Sequence, residues 1–425
     1  MHRFHKVWRF AAVLSAVTLA ACSGGDNNRI LGPKPTGANS IFQSYVSMGN
    51  SITAGYSASG ITDATQRTSY AFLLAQQMGT RFAYPSLAGR GCNPPVANFQ
   101  TQAGPGTITA AQRPTICDLR TATSATDILN NVAVPNASSF DPTDADGTPF
   151  SNILTSLFLG GKTQVQRALE AHPTFASIWI GNNDVLGFAL RDGRAAAPTG
   201  LAGMTPVATF QTNYTGMLNQ LLAAEPDLEG ILIGVGQVAN LPVMFPAAAM
   251  SSPAFKAGFD AIAGTATTLD NSCVAGGAGA TSLINIFLAF QIRTVGAAGG
   301  FPPIVACVAG GASGALPAPV GDILILEPSE LTTLSTRIDA HNAHIAAEAT
   351  RIGFAYYDPN PRLVTLRTAG TVLTNIPNLA SATATFGTGM ALDGVHPGAP
   401  IHRIIVNDLI PLINTKYGTT LVPVP

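Results

Sequence analysis

The chain has 425 residues, 46% of them hydrophobic and only 11% charged, so it can bury a large core. A formal net charge of −1 gives no electrostatic reason to expect nucleic acid or an acidic surface as partner. The 43 glycines and 30 prolines describe a loop-rich globular protein rather than a disordered one, with no internal repeat and no long charge run.

At the amino terminus, His2, Arg3 and Lys6 to Arg9 form a basic region. Phe10 to Ala21 follows as an apolar run too short to span a bilayer as a stable helix. It ends Leu19-Ala20-Ala21-Cys22, which resembles the lipobox of bacterial lipoproteins. That resemblance implies a leader at 1–21, a lipid anchor on Cys22, and export, with Ser23 after the cysteine resembling sorting to the outer membrane. Residues 22–40 then read as a flexible tether and 41–425 as the folded domain.

Ser44 to Met48 is a short β-branched and aromatic run that reads as a buried strand. It ends in the sharp-turn residues Gly49-Asn50, followed by Ser51. Residues 68–78 have helical apolar spacing (Ala71, Leu74, Ala75, Met78) and stop at Gly79. Residues 80–128 carry turn signals throughout, and Ile128 to Ser138 reads as a short strand ending in Pro135-Asn136. Residues 151–170 are helical with a weak point at Gly160-Gly161. Phe175 to Ile180 is a continuous apolar run, expected of a strand covered on both faces, and stops at Gly181-Asn182-Asn183-Asp184.

A helix is expected from Thr205-Pro206 to Leu222, with Pro206 at its first position, and a buried strand from Gly230 to Val235. An Ala/Gly-rich insertion at about 245–322 precedes a helix from Pro328 to Arg351, a strand from Phe354 to Asp358 and a last helix from Ile401 to Tyr417. Strands alternating with helices in this way imply a three-layer α/β/α domain around a doubly wound, mainly five-stranded parallel sheet. Beyond Cys22, an exported chain with Cys92, Cys117, Cys273 and Cys307 predicts disulfides. Three pairings are possible; the sequence-local one closes loops of 25 and 34 residues in stretches poor in helix and strand signal. No cysteine or histidine spacing suggests zinc, and His341 and His344 lack a third ligand nearby, so no metal is expected.

Four separated pieces carry chemistry: Gly49-Asn50-Ser51, Asn130 to Ala137, Gly181 to Asp184, and Asp393-Gly394-Val395-His396. The first three follow predicted strands, at the sheet edge where active sites of open α/β sheets lie. In the fourth, carboxylate and imidazole stand three residues apart, so one loop can hold both, the aspartate fixing a ring that faces the serine. In this order the blocks resemble the SGNH/GDSL hydrolase superfamily, whose fold is flavodoxin-like, and more closely its bacterial lipoprotein members. The resemblance spans residues 44–420, interrupted by the insertion. It implies Ser51 as nucleophile, His396 as base and Asp393 as its orienter. The backbone N–H groups of Ser51 and Asn136 and the side chain of Asn183 would form the oxyanion hole.

Three positions depart from the pattern: Asn50 replaces the usual aspartate, Ile52 the leucine after the serine, and Asn136 stands where the second block has glycine. The expected function is therefore cofactor-free hydrolysis of small-molecule or lipid carboxylic esters in the cell envelope, with the membrane as a partner through Cys22. A catalytically weak envelope lipoprotein that uses the fold for binding, a carbohydrate deacetylase and an acyltransferase are the alternatives. The apolar insertion reads equally as a lid or acyl-binding wall and as a disulfide-stapled decoration.

Overall fold

A computed structural model of the chain describes residues 29–30, 35–144, 152, 154–190, 203–299, 304–307 and 324–425. The expected leader, Cys22 and its lipid, and parts of the insertion lie outside the described residues. Part of the expected tether is ordered: Arg29–Ile30 pairs antiparallel with Phe82–Ala83, and Gly37–Phe42 forms a 3-10 helix.

In chain order the core elements are β1 (Tyr45–Gly49), α1 (Ser51–Ala54), α2 (Tyr70–Met78), α3 (Gln164–Glu170), β2 (Phe175–Trp179), α4 (Asn183–Leu190), α5 (Val207–Ala224), β3 (Glu229–Ile233), α6 (Pro328–Ile352), β4 (Ala355–Tyr357), α7 (Asn360–Ala369) and α8 (Ala399–Tyr417). The parallel strands lie in the order β4-β3-β2-β1. The expected fifth strand is present in reduced form. Residues 130–134 run beside β1 through Ser47 N–H to Asn130 O, Val132 N–H to Ser47 O and Val134 N–H to Gly49 O, but only Ser47 and Asn131 form a regular parallel bridge. The ladder is short because Asn130 N–H turns to Ala83 O and Gly49 N–H to Gln164 Oε1. Counting this segment, the spatial order is 2-1-3-4-5, with the reversal of winding at β1.

β1 and β2 are buried at every position, as strands covered on both faces must be. α2 packs with α8, while α5 packs with α3 and α6. The helix ends follow local chemistry. Ser69 caps α2 by accepting from Phe72 N–H, and Gly79 closes it in the left-handed conformation. The expected helix at 151–170 splits into Leu154–Leu159 and α3 at Gly160-Gly161, both at positive φ. Pro206 proves to be the N-cap of α5 rather than its first residue, because its ψ of 146° is extended rather than helical.

The insertion builds its own layer: an antiparallel sheet of Met244–Pro246, Leu283–Asn285 and Ile325–Leu326, with helices Pro253–Ala263 and Phe287–Gly299 packed together. The disulfides take the sequence-local pairing, Cys92–Cys117 and Cys273–Cys307.

Asp184 ties the sheet's carboxyl edge together. Its carboxylate accepts from Ser139 N–H at 2.8 Å and Ser139 Oγ–H at 2.6 Å, which anchors the loop after residues 130–134 to the start of α4. Burial pushes this carboxyl up to about 6, against hydrogen bonds from Ser139 and Thr205 that lower it. Between about pH 4 and pH 6 the folded chain thus holds a proton that the unfolded chain has lost, so this group's contribution to stability falls as pH rises. The stability of wild type relative to Asp184→Asn should drop by about 3 kcal/mol across that window, measured by chemical denaturation at each pH.

Candidate active site

β1 delivers its chain end at Gly49, where a side chain would not fit: a Cβ there would lie 2.2 Å from Thr53 Oγ1 and 2.9 Å from Trp179 O. Asn50 then caps α1, its Oδ1 accepting from Ile52 N–H at 3.1 Å, so Ser51 opens the helix. At this buried cap asparagine accepts the N–H without a charge, while its Nδ2 is buried with no partner among the described residues.

The chain end before α8 brings the other two groups. His396 Nε2 lies 2.8 Å from Ser51 Oγ, and His396 Nδ1 lies 2.8 Å from Asp393 Oδ2. Asp393 Oδ1 accepts from the N–H groups of Val395 and His396, and Oδ2 also accepts from Ser59 N–H at 2.7 Å. Burial alone would raise the Asp393 carboxyl. The neighbouring His396 and these donors outweigh it and hold the group below the usual carboxylate range. Tyr56 packs on the imidazole with ring centroids 4.9 Å apart. Behind it, His402 is a packing residue whose Nδ1 accepts from Tyr70 N–H, and burial, with the His396 charge, pushes it down to about 3.

Asn136 has φ +66°, the left-handed conformation a glycine adopts there without strain. Asn183 Nδ2 donates to Ala137 O at 2.8 Å, so the Asn136–Ala137 loop is fixed to the start of α4. Asn183 lines the same cleft as Ser51 and His396.

That cleft is open to solvent and is lined by residues at or just after the carboxyl ends of β1, β2, β3 and β4. Its walls beyond Ser51 are apolar, with Trp179, Leu186, Val238, Leu363, Leu366 and Ile405 among them. At the far side Arg362 Nε and Tyr357 OH both donate to Asp408 Oδ2 at 2.8 Å. No described residue of the 245–322 insertion lines the cleft, whose lining includes residues of α7 and of the segment after β3. Sequence reading missed α7, although Pro361 near its start and Gly370 at its end bracket it. It also missed Ser59, because nothing in the local sequence ties that residue to one 334 positions away.

His341 and His344 are packing residues on α6. His341 is buried and stacks on Phe210 with centroids 3.9 Å apart, and burial pushes it down to about 4. His344 Nε2 meets Thr215 Oγ1 at 3.1 Å. Among the described residues no group of three or more His, Cys, Asp or Glu side chains could hold a metal ion, and no helix is long and apolar enough to cross a membrane.

Comparison with solved structures finds low similarity over most of the chain. A mutant acetyl-xylooligosaccharide esterase from Geobacillus is 10% identical, with a TM-score of 0.37 over 90% of this chain and 97% of its own. An extracellular lipase from Streptomyces rimosus is 15% identical, with a TM-score of 0.34 over 88% and 99%. Phospholipase A1 from Streptomyces albidoflavus is 15% identical, with a TM-score of 0.30 over the same shares. No curated protein matches the chain in sequence. The sequence profile described as GDSL-like lipase/acylhydrolase matches residues 45–409, from β1 into α8 and across all four chemical blocks; the chain belongs to that family.

Proposed function

We propose that the protein is a serine hydrolase of carboxylic esters whose acyl groups lie in the apolar cleft. The observation that carries this reading is the continuous relay Ser51 Oγ, His396 Nε2, His396 Nδ1 and Asp393 Oδ2, with both links at 2.8 Å. In it Ser51 attacks the acyl carbon while His396 takes its proton. The tetrahedral oxygen is met by the backbone N–H groups of Ser51 and Asn136 and by Asn183 Nδ2. His396 then protonates the leaving alkoxide, and water deacylates Ser51 by the reverse transfers. Asp393, already ionised and saturated with donors, holds the ring tautomer that leaves Nε2 free to accept. Its place is the cell envelope, held by lipid on Cys22. The basic and apolar leader supports this, as do two disulfides that suit an oxidising compartment.

The apolar cleft supports a preference for medium-length acyl chains. From β1 to β4 it crosses three strand spacings, about 14 Å. An extended chain advances about 1.2 Å per bond, so roughly ten to twelve bonds fit before the polar lock of Arg362, Tyr357 and Asp408. Each buried methylene is worth about 0.8 kcal/mol, so kcat/KM should rise by up to about fourfold per carbon until the cleft is full.

Two outcomes test the reading. In p-nitrophenyl ester hydrolysis, Ser51→Ala should lose about 10⁴-fold or more in kcat. Asp393→Asn should lose on the order of 10⁴-fold and Asn183→Ala about 10²-fold, with the fold intact by circular dichroism. Along an acyl series, kcat/KM should peak near ten carbons, and Leu366→Trp, which fills the far wall, should move the peak to shorter chains.

A further inference from the structure

The Asp393 carboxylate receives one donor from outside its own loop, the N–H of Ser59 at 2.7 Å, on the same oxygen that orients His396. Ser59 sits in a two-residue turn closed by Ser57 N–H to Gly60 O at 2.7 Å and Gly60 N–H to Ser57 O at 3.1 Å. Both central residues, Ala58 at φ +51° and Ser59 at φ +54°, are in the left-handed region without being glycine. Side chains disfavour that conformation, so it persists only where the surroundings over-determine it.

The surroundings do so from one direction. Arg113, buried, donates from Nη2 to Ser59 O at 3.0 Å and from Nε to Pro94 O at 2.9 Å. Val96 N–H donates to Ala58 O at 2.7 Å, Ile61 N–H to Asn93 O at 3.0 Å and Cys92 N–H to Ile61 O at 3.0 Å. The 92–96 segment that supplies these bonds is held in turn by the Cys92–Cys117 disulfide and by Asp118 N–H to Gly91 O at 2.9 Å. Arg113 and Cys117 stand four residues apart on one connected stretch, so guanidinium and disulfide clamp the same turn.

We propose that Arg113 and the Cys92–Cys117 bridge form a positioning strap for Asp393. They hold the Ser57–Gly60 turn in its strained conformation so that Ser59 N–H stays on the oxygen that orients His396. The proposal rests on the Ser51, His396 and Asp393 reading above. Arg113 and Ser59 touch neither substrate nor nucleophile; they act through Asp393. The strap therefore acts on the rate of acyl transfer rather than on ester binding.

The test uses the full chain and a short p-nitrophenyl ester. Arg113→Ala should lower kcat about tenfold with KM unchanged, since a small displacement of an orienting group acts on the chemical step. The double variant Cys92→Ser with Cys117→Ser should lose as much, and the triple variant little more, because both act through one turn. Adding Ala58→Gly and Ser59→Gly to Arg113→Ala should restore most of kcat, since glycine takes positive φ without strain and keeps the N–H. Wild-type kcat in both Arg113→Ala and the disulfide variant overturns the strap. So does a loss that the glycines do not rescue and that follows the fall in melting temperature. If Arg113→Ala does not fold, the disulfide variant with and without the two glycines decides the matter. Turnover surviving in Ser51→Ala overturns the hydrolase reading and the strap with it. An inert Ser51→Ala beside full-rate strap variants overturns the strap alone.

Discussion

The parallel pairing of β1 with β2, in the register that sets Gly49 opposite Trp179, is the constraint on which the site depends. Because the strands point the same way and end level, the turns carrying Ser51 and Asn183 emerge side by side at one edge of the sheet. Winding reverses at β1, and the loop leaving residues 130–134 is tied to the start of α4 by Asn183 Nδ2 on Ala137 O and by Ser139 on Asp184. A one-residue slip would turn every buried strand side chain to the opposite face, and full burial on both faces forbids it. The register is therefore held by the core rather than by the site.

Around that edge, carboxamides do work that secondary structure leaves undone. Asn182 Oδ1 accepts from Gly236 N–H, Asn342 takes both the N–H and the C=O of Val235, and Asn360 accepts from Gln237 N–H while donating to Val235 O. Strand ends expose backbone groups that lie too deep for water, and each needs a partner. At Asn342 and Asn360 the carboxamide supplies donor and acceptor together without burying a charge, which an aspartate would do at a cost of several kcal/mol. Asp184 and Asp393 are, with Asp141, the buried carboxyls on this edge among the described residues, and the first two differ instructively. Asp184 is raised by burial and ties loops, whereas Asp393 is lowered by the imidazole and the backbone N–H groups around it. Two carboxyls on one edge are separated in role by their surroundings.

The insertion forms a separate layer with its own antiparallel sheet and disulfide, while the cleft walls come from α7, α8 and the segment after β3.

Much of this was legible in the sequence because it is local. Gly49-Asn50-Ser51, Gly181 to Asp184 and Asp393 to His396 are each a few residues long, and periodicity put the first two after the right strands. The helices at 70–78 and 328–352 were bounded by their own glycine and proline signals. Asn136 could be read as tolerating a left-handed backbone, since that tolerance belongs to the residue itself. What only the tertiary structure decided is long-range: the Ser59 N–H on Asp393, the Arg113 guanidinium on Ser59, the shortening of the fifth strand by Ala83, and the apolar cleft assembled from four strand ends. Sequence by itself determines which groups are present and what each favours locally. Which of them meet across hundreds of residues is decided by the packing of the whole core, because no local propensity encodes a contact between residues that chain entropy keeps apart until the fold closes.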